Sequence, residues 1–410
     1  MKTKEIKKPD KNLIGEVKLP ASKSISNRIL IIRALSDFYF EIKNLSDSDD
    51  TKVLDKILSS NDSNFNVGHA GTAMRFLTAY LSRIVGEWTL SGSKRMQQRP
   101  IRQLVSALKD LGADINYMKN DGYPPIKIFG KNLIKSKINI DASISSQFIS
   151  ALLLIAPLLP EGLEITLNNK ISSKPYIDMT LALMKCFNVK SRWDEETLII
   201  NPQKYNGKSF KVENDWSAAA FWYAMAFLSE TSNLLIKGLW KNSLQGDSKI
   251  AEIYDKLGIN TEFINDTIRL TKINKSPEIF QYDLSDYPDL AQSLVVAMVF
   301  RNIPFSIYGL ESLHIKETDR IQALITELSK FGFVLHESSY GVLEWKGEIC
   351  QESTITDSFE VETYNDHRMA MAFAPIALVR QQVIIKDPIV VTKSYPKFWE
   401  ELISVGFDVK

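Results

Sequence analysis

Five amphipathic phrases in this chain end in the same way, and their spacing limits the possible architectures more than any single motif does. ALKDLGADI near Gly112, ALMKCFNVK near Asn188, IYDKLGINT near Gly258, ELSKFGFVL near Gly332 and ELISVGFDV near Gly406 each pass from a helical pattern into a strand-like one. The residue at each junction is Gly or Asn, which tolerates the left-handed backbone that closes a helix. The junctions recur every 70 to 76 residues, an internal repeat. LDKILSSNDSNF near residue 58 reads as a shortened further copy. Short amphipathic runs lie between them: INYMKN at 115–120, LEITLNN at 163–169, TLIINP at 197–202, TIRLTKI at 267–273 and VLEWKG at 342–347. The expected class is α/β (α+β) with mixed strand pairing, built from about six units in two groups of three.

Composition narrows the function. Lys and Arg total 50 against 49 Asp and Glu, so the net charge of +1 offers no broad basic surface for nucleic acid. Any functional positive charge must be local. The 410 residues, 44% of them hydrophobic, suit two domains. The opening MKTKEIKKPDKNLIGEV has no apolar run of the signal-peptide kind, and the apolar segments near 148–159 and 217–228 are too short to cross a bilayer. Two cysteines, Cys186 and Cys350, fit a reducing compartment, so the expectation is a cytoplasmic protein. No GxGxxG follows a first strand, and GHAGTAMR lacks the lysine of a phosphate-binding loop.

Local charge is concentrated where helices begin. KETDR at 316–320 and NDHRMAM at 365–371 each set acids and bases before an apolar helical stretch. Lys316 and Arg320, four apart, are expected to share a helix face, and Asn365 or Asp366 to cap a helix with His367 and Arg368 in its first turn. SKSISNR at 22–28, HAGTAMR at 69–75, KRMQQRP at 94–100, SISSQF at 143–148, NDWSAAAF at 214–221 and TKSYPKF at 392–398 repeat the arrangement. A helix N-terminus offers unpaired N–H groups and partial positive charge, so several together suit phosphates and carboxylates. Each block alone has a plainer reading. Asp289 after Pro288 suits a helix cap, Ser145 and Ser146 suit another, and Tyr176 and Trp216 suit core or rim positions. Cys186 reads as an inert core thiol, His314 and His336 as surface residues, and no metal-ligand spacing is visible.

In order, SKSISNR, AGTAMR, RMQQRP, SSQF, SKPYIDMT, YPDLA, KETDR, YNDHRMAM and TKSYP resemble the 5-enolpyruvylshikimate-3-phosphate synthase family over residues 12–407. The resemblance implies a two-domain enolpyruvyl transferase fold, each domain made of three βαβαββ units and closing over the substrates. The first domain would be 21–213 and hold shikimate 3-phosphate. The second would be 1–20 with 214–410 and hold the catalytic carboxylates and the phosphoenolpyruvate clamp. It also implies a reaction: the 5-hydroxyl of shikimate 3-phosphate adds to C2 of phosphoenolpyruvate as C3 is protonated, and the tetrahedral intermediate expels phosphate. No cofactor, metal or covalent nucleophile is implied.

Residue roles follow from the same resemblance. Lys23, Asp289 and Glu317 would be catalytic, with Asp289 taking the hydroxyl proton and Glu317 exchanging the one at C3. Lys23, Ser24, Arg28, Ser145, Ser146, Gln147, Ser173, Tyr176, Asp289, Ser312 and Lys316 would bind shikimate 3-phosphate. Lys23, His69, Gly71, Thr72, Arg99, Gln147, Arg320, Arg368 and Lys393 would bind phosphoenolpyruvate, Gly71 because a side chain there would crowd it. The partners would be these two small molecules, acting on a monomer without nucleic acid or membrane. Three positions depart from the family pattern: His69 replaces Asn, Phe76 replaces Pro, and Ser312 replaces an Asn. The first two are expected to weaken inhibition by glyphosate, which occupies the phosphoenolpyruvate site in this family. The alternatives are a UDP-N-acetylglucosamine enolpyruvyl transferase, whose loop cysteine is missing from the Gly and Arg blocks, and a catalytically silent anion-binding relative.

Overall fold

The repeat in the sequence is a repeat of sheets. The structure, a computed structural model, describes residues 2–350 and 358–410. Five four-stranded sheets in it share one strand order. In Asn64–Asn66, Gly86–Ser91, Asp114–Tyr117 and Ile126–Gly130, the first two strands pair parallel and the remaining contacts are antiparallel. The parallel pair needs a crossover, which the helix Gly71–Arg83 supplies, and Arg102–Asp110 precedes the closing hairpin, giving βαβαββ. All five sequence-predicted strands are present, and Gly112, Asn188, Gly258, Gly332 and Gly406 all have positive φ (103°, 65°, 93°, 87° and 85°).

Two copies depart from the pattern. One is abbreviated: Ile42–Lys43 pairs parallel with Phe210–Lys211, with the helices Lys23–Leu35 and Asp49–Leu58 before and after Ile42–Lys43 in sequence and, among the described residues, no antiparallel pair. In the other, Thr3–Lys7, from far away in the sequence, takes the third place in the sheet, between Gln382–Lys386 and Asp408–Val409.

The chain divides into two compact units, Lys23–Val212 and Met1–Ser22 with Glu213–Lys410. The first is inserted between the strand Leu13–Lys18 and its parallel partner Ser232–Lys237. In the enclosing unit the two ends of the insertion are tied together: Ser22 N–H donates to the Glu213 carbonyl at 2.8 Å, and Ala21 bridges to Asn214. The Glu213 carboxylate is buried and accepts from Trp216 Nε1, Trp240 N–H, Ser243 Oγ and Gln245 Nε2. Burial pushes its carboxyl up despite those donors.

Each unit has buried helices whose N-terminal ends carry the charged blocks. In the enclosing unit, Trp216–Leu228, Ala291–Phe300 and His367–Phe373 pack on one another and are buried nearly all round. In the inserted unit Lys23–Leu35, Gly71–Arg83 and Ser146–Ile155 do the same. No helix among the described residues is long and apolar enough to cross a membrane.

Candidate active site

In the enclosing unit the charged blocks converge on one guanidinium. Asp319 caps the helix Arg320–Ser329, so Arg320 is its first residue. Arg320 Nε donates to Asp366 Oδ2 at 2.7 Å, Nη1 to Asp289 Oδ1 at 2.7 Å, and Nη2 to Glu317 Oε2 at 2.9 Å and Asp366 Oδ1 at 3.3 Å. The buried charge is thus held by three carboxylates, which outweigh the effect of burial and raise its pKa. Asp366 is fully buried and also caps the helix His367–Phe373 by accepting from Arg368 N–H at 2.9 Å.

Asp289 meets two further cations. Lys316 Nζ and Arg368 Nη2 each lie 3.4 Å from its carboxylate, and Arg368 Nη1 donates to its carbonyl at 2.9 Å. Burial would raise the Asp289 carboxyl, but Arg368, Lys316 and Arg320 together hold it well below the usual carboxylate range. Exposure separates the roles within this cluster. Side chains of Lys316, Asp289 and Glu317 are 20%, 18% and 16% exposed, whereas Arg320 and Asp366 are 2% and 0%, so the first three are within reach of a ligand and the last two support them. Lys393 Nζ donates to the Asn365 carbonyl. The Ser312 hydroxyl is buried with no hydrogen-bond partner among the described residues.

Several sequence expectations change here. Lys316 does not share a helix face with Arg320, because the Asp319 cap starts the helix after it; Lys316 reaches Asp289 from irregular backbone instead. Asp289 is no helix cap, since its carboxylate is taken by cations. His314 is no plain surface residue, for both ring nitrogens face carboxylates. Cys186 is half-buried, not a core thiol. Trp216 is a core residue, as its plainer reading had it.

In the inserted unit a second buried guanidinium has different company. Arg28 donates through Nε to Thr180 Oγ1 at 2.7 Å, through Nη1 to the Ser24 carbonyl at 2.9 Å, and through Nη2 to Ser150 Oγ and the Tyr176 carbonyl, both at 3.2 Å. All four acceptors are neutral. Its carbon centre lies 5.4 Å from the Phe76 ring centroid and 6.0 Å from that of Tyr176, and burial pushes its pKa down to about 10. Ser145 caps the helix Ser146–Ile155 by accepting from Gln147 N–H at 3.3 Å. Ser173 stands before the helix Lys174–Cys186 in left-handed backbone, φ 55°.

Nearby in the same unit, Lys23 Nζ lies 3.4 Å from Asp50. A Cβ on Gly71 would come within 2.6 Å of Arg99 Nη1, so the glycine leaves room for that guanidinium. Thr72 is half-buried in the first turn after Gly71. His69 Nδ1 shares a hydrogen bond with Ser93 Oγ at 3.1 Å, and Ser93 Oγ accepts from Met96 N–H.

Sequence reading missed four contributors. Ser150 and Thr180 hold Arg28, each four residues after a named position (Ser146, Tyr176), a spacing that marks one helix face. Asp366 appeared there only as a cap. Asp247 is buried, accepts from Ser217 Oγ, and has its carboxyl pushed up to about 6 by burial, Arg368 opposing this and Asp289 and Asp215 adding to it. Its sequence signal is slight, an acid in a Gly-Asp-Ser turn.

The chain is similar to known proteins over nearly its whole length. The family model for EPSP synthase (3-phosphoshikimate 1-carboxyvinyltransferase) matches residues 7–60 and 53–402. A 3-phosphoshikimate 1-carboxyvinyltransferase of Bacteroides fragilis (strain YCH46) is 48% identical over 395 residues, covering 96% of each chain. One from Colwellia psychrerythraea is 36% identical over 421 residues, covering 96% of this chain and 97% of its own. Among solved structures, an EPSP synthase from Acinetobacter baumannii aligns over all of both chains with a TM-score of 0.76 at 21% identity. The enolpyruvyl transferase NikO from Streptomyces tendae aligns over all of this chain and 98% of its own with a TM-score of 0.74 at 13% identity, a likeness of fold. With nearly its whole length matched, the chain belongs to the EPSP synthase (3-phosphoshikimate 1-carboxyvinyltransferase) family.

Proposed function

We propose a division of labour among these residues for the reaction of this family, the transfer of the enolpyruvyl group of phosphoenolpyruvate to the 5-hydroxyl of shikimate 3-phosphate with release of phosphate. The observation that carries it is the Arg320 cluster, in which one buried cation orients Asp289 and Glu317 while both stay partly exposed. Asp289 accepts the proton of the attacking hydroxyl. Glu317 delivers a proton to C3 in the addition and removes one in the elimination, so the enolpyruvyl double bond re-forms as phosphate leaves. Lys23 contacts both substrates and shares in proton transfer.

A carboxylate held so far down by cations is a weak base. Substrate anions that draw Lys316 and Arg368 away would raise its basicity at the moment of attack. Ser24, Arg28, Ser145, Ser146, Gln147, Ser173, Tyr176, Ser312 and Lys316 hold shikimate 3-phosphate; His69, Gly71, Thr72, Arg99, Gln147, Arg320, Arg368 and Lys393 hold phosphoenolpyruvate. Arg320 acts mainly by orienting acids, since its four hydrogen bonds all go to carboxylates that offset its charge, whereas the four of Arg28 go to neutral groups that do not. We further infer a cytoplasmic monomer that takes no nucleic acid, in keeping with the net charge of +1 and two cysteines.

The test is phosphate release with both substrates, in the wild type and in Asp289→Asn and Glu317→Gln. Release that requires both substrates and collapses in each variant is the expected result. Near-normal turnover in Asp289→Asn would remove it as the base.

A further inference from the structure

The turn Glu311–Ile315 leads straight into Lys316 and Glu317, and its histidine is held at both ring nitrogens. His314 Nδ1 lies 2.8 Å from Asp319 Oδ2, and Nε2 lies 2.9 Å from Glu337 Oε1. Ionised carboxylates only accept, so a ring bonded to both carries two N–H groups and a positive charge. The ring also lies on Tyr340, with centroids 4.7 Å apart and planes 11° from parallel. Both acids are fixed in turn. Asp319 accepts from Gln322 N–H at 3.1 Å as the cap of the helix that begins with Arg320, and Glu337 Oε1 accepts from Gly341 N–H at 2.7 Å. Gly341 has φ +78°, and Glu311 fills the space its Cβ would take. The charged and titratable groups around the ring are therefore Asp319, Glu337 and Tyr340, with Glu311 on its own turn.

We infer that His314, clamped as an imidazolium between Asp319 and Glu337, is a positioning residue that fixes where Lys316 and Glu317 stand. The inference rests on the proton role proposed above for Glu317. Lys316, Glu317 and Thr318 lie on a short span between His314 and its own hydrogen-bond partner Asp319, so losing one of the two bonds lets the span drift relative to Asp289. Burial works against the charge, but the hydrogen bonds and charges of the two acids outweigh it and raise the pKa above the ordinary histidine value. A raised histidine keeps its contribution below the ordinary pKa of about 6.5 and loses it as pH rises through the higher, folded value. The clamp therefore loosens on the alkaline side.

The experiment combines an NMR titration of the His314 ring in the wild type with kcat and KM from about pH 5.5 to 9.5, beside His314→Gln and His314→Arg. At neutral pH the ring should be doubly protonated. His314→Gln should lower kcat about tenfold and raise the KM for shikimate 3-phosphate, which Lys316 holds, while the KM for phosphoenolpyruvate changes less than about twofold, and should abolish the alkaline limb assigned to this ring. His314→Arg, with a permanent charge and forked donors, should recover most of kcat and hold it to the alkaline end of the range without that limb. A ring that titrates below the ordinary value overturns the proposal, as does wild-type kcat in His314→Gln or an equal loss in both variants at every pH. Glu317→Gln measured alongside separates the two ideas: full turnover there removes the role of Glu317, whereas a normal His314→Gln beside an impaired Glu317→Gln removes that of His314.

Discussion

Arg320 and Arg28 are both buried, and they stand in opposite company. Arg320 is encircled by Asp289, Glu317 and Asp366, three negative charges around one positive. Arg28 touches hydroxyls, carbonyls and aromatic faces and, among the described residues, no carboxylate. A buried charge with partners orients them; one with only neutral acceptors keeps its field for an incoming anion. On the function proposed above, the enclosing unit holds acids in place and the inserted unit keeps positive charge for a phosphate. The same sheet repeat supports both, so the difference lies in which side chains sit at the helix starts.

The contrast can be broken most forcefully at the acids. Asp289→Asn should lower kcat by roughly 10² to 10⁴-fold, about 3 to 5 kcal/mol of barrier, with binding of shikimate 3-phosphate much less affected. Steady-state kinetics check it. Next, Arg320→Met leaves three carboxylates without their common cation and should cost about 3 to 5 kcal/mol of unfolding free energy in urea titrations. Arg28→Met removes a buried charge that has no acid, so its stability cost should be well below that of Arg320→Met. Equal losses would erase the distinction between the two centres.

The remaining tests are smaller and sharpen the distinction. Arg28→Met should weaken shikimate 3-phosphate binding by about 1.5 to 3 kcal/mol, the range for hydrogen bonds to charged groups, as read by calorimetry. Asp247→Asn tests the acid side. A carboxyl raised to about 6 when folded stabilises below its ordinary value near 3.8 and loses that contribution as pH rises through 6. The wild type should therefore lose stability between those values relative to the variant, whose profile there should be flatter. Phe76→Leu removes the aromatic face near Arg28 and should weaken the same binding by about 0.5 to 2 kcal/mol, with less effect on the KM for phosphoenolpyruvate.

That last expectation revises how Phe76 reads. From sequence alone it is a bulky replacement for proline near Gly71; in the fold it is buried with its ring toward Arg28. The backbone repeat was legible because Gly and Asn closures and alternating strands are local signals that recur. The Arg320 cluster was legible as a set of blocks but not as a geometry. Lys316 and Arg320 have helical spacing, yet Asp319 is a stronger start signal and excludes Lys316 from the helix. Asp247, Ser150 and Thr180 escaped notice because each acquires meaning only from residues distant in sequence, and an acid or hydroxyl in a short turn or on a helix gives no local sign of burial.

One consequence of the strand order concerns how the chain is made. The inserted unit has all its strands once residue 212 is synthesised, and can close while the remainder is still on the ribosome. The strand Leu13–Lys18 finds its partner only when Ser232–Lys237 emerges, and Thr3–Lys7 waits until residues 382–386 and 408–409 have been made. Residues made early are thus among the last of this unit to be paired. Glu5 and Lys410 exchange two backbone hydrogen bonds of 3.0 Å, so residue 5 is fully paired only after residue 410 has been made.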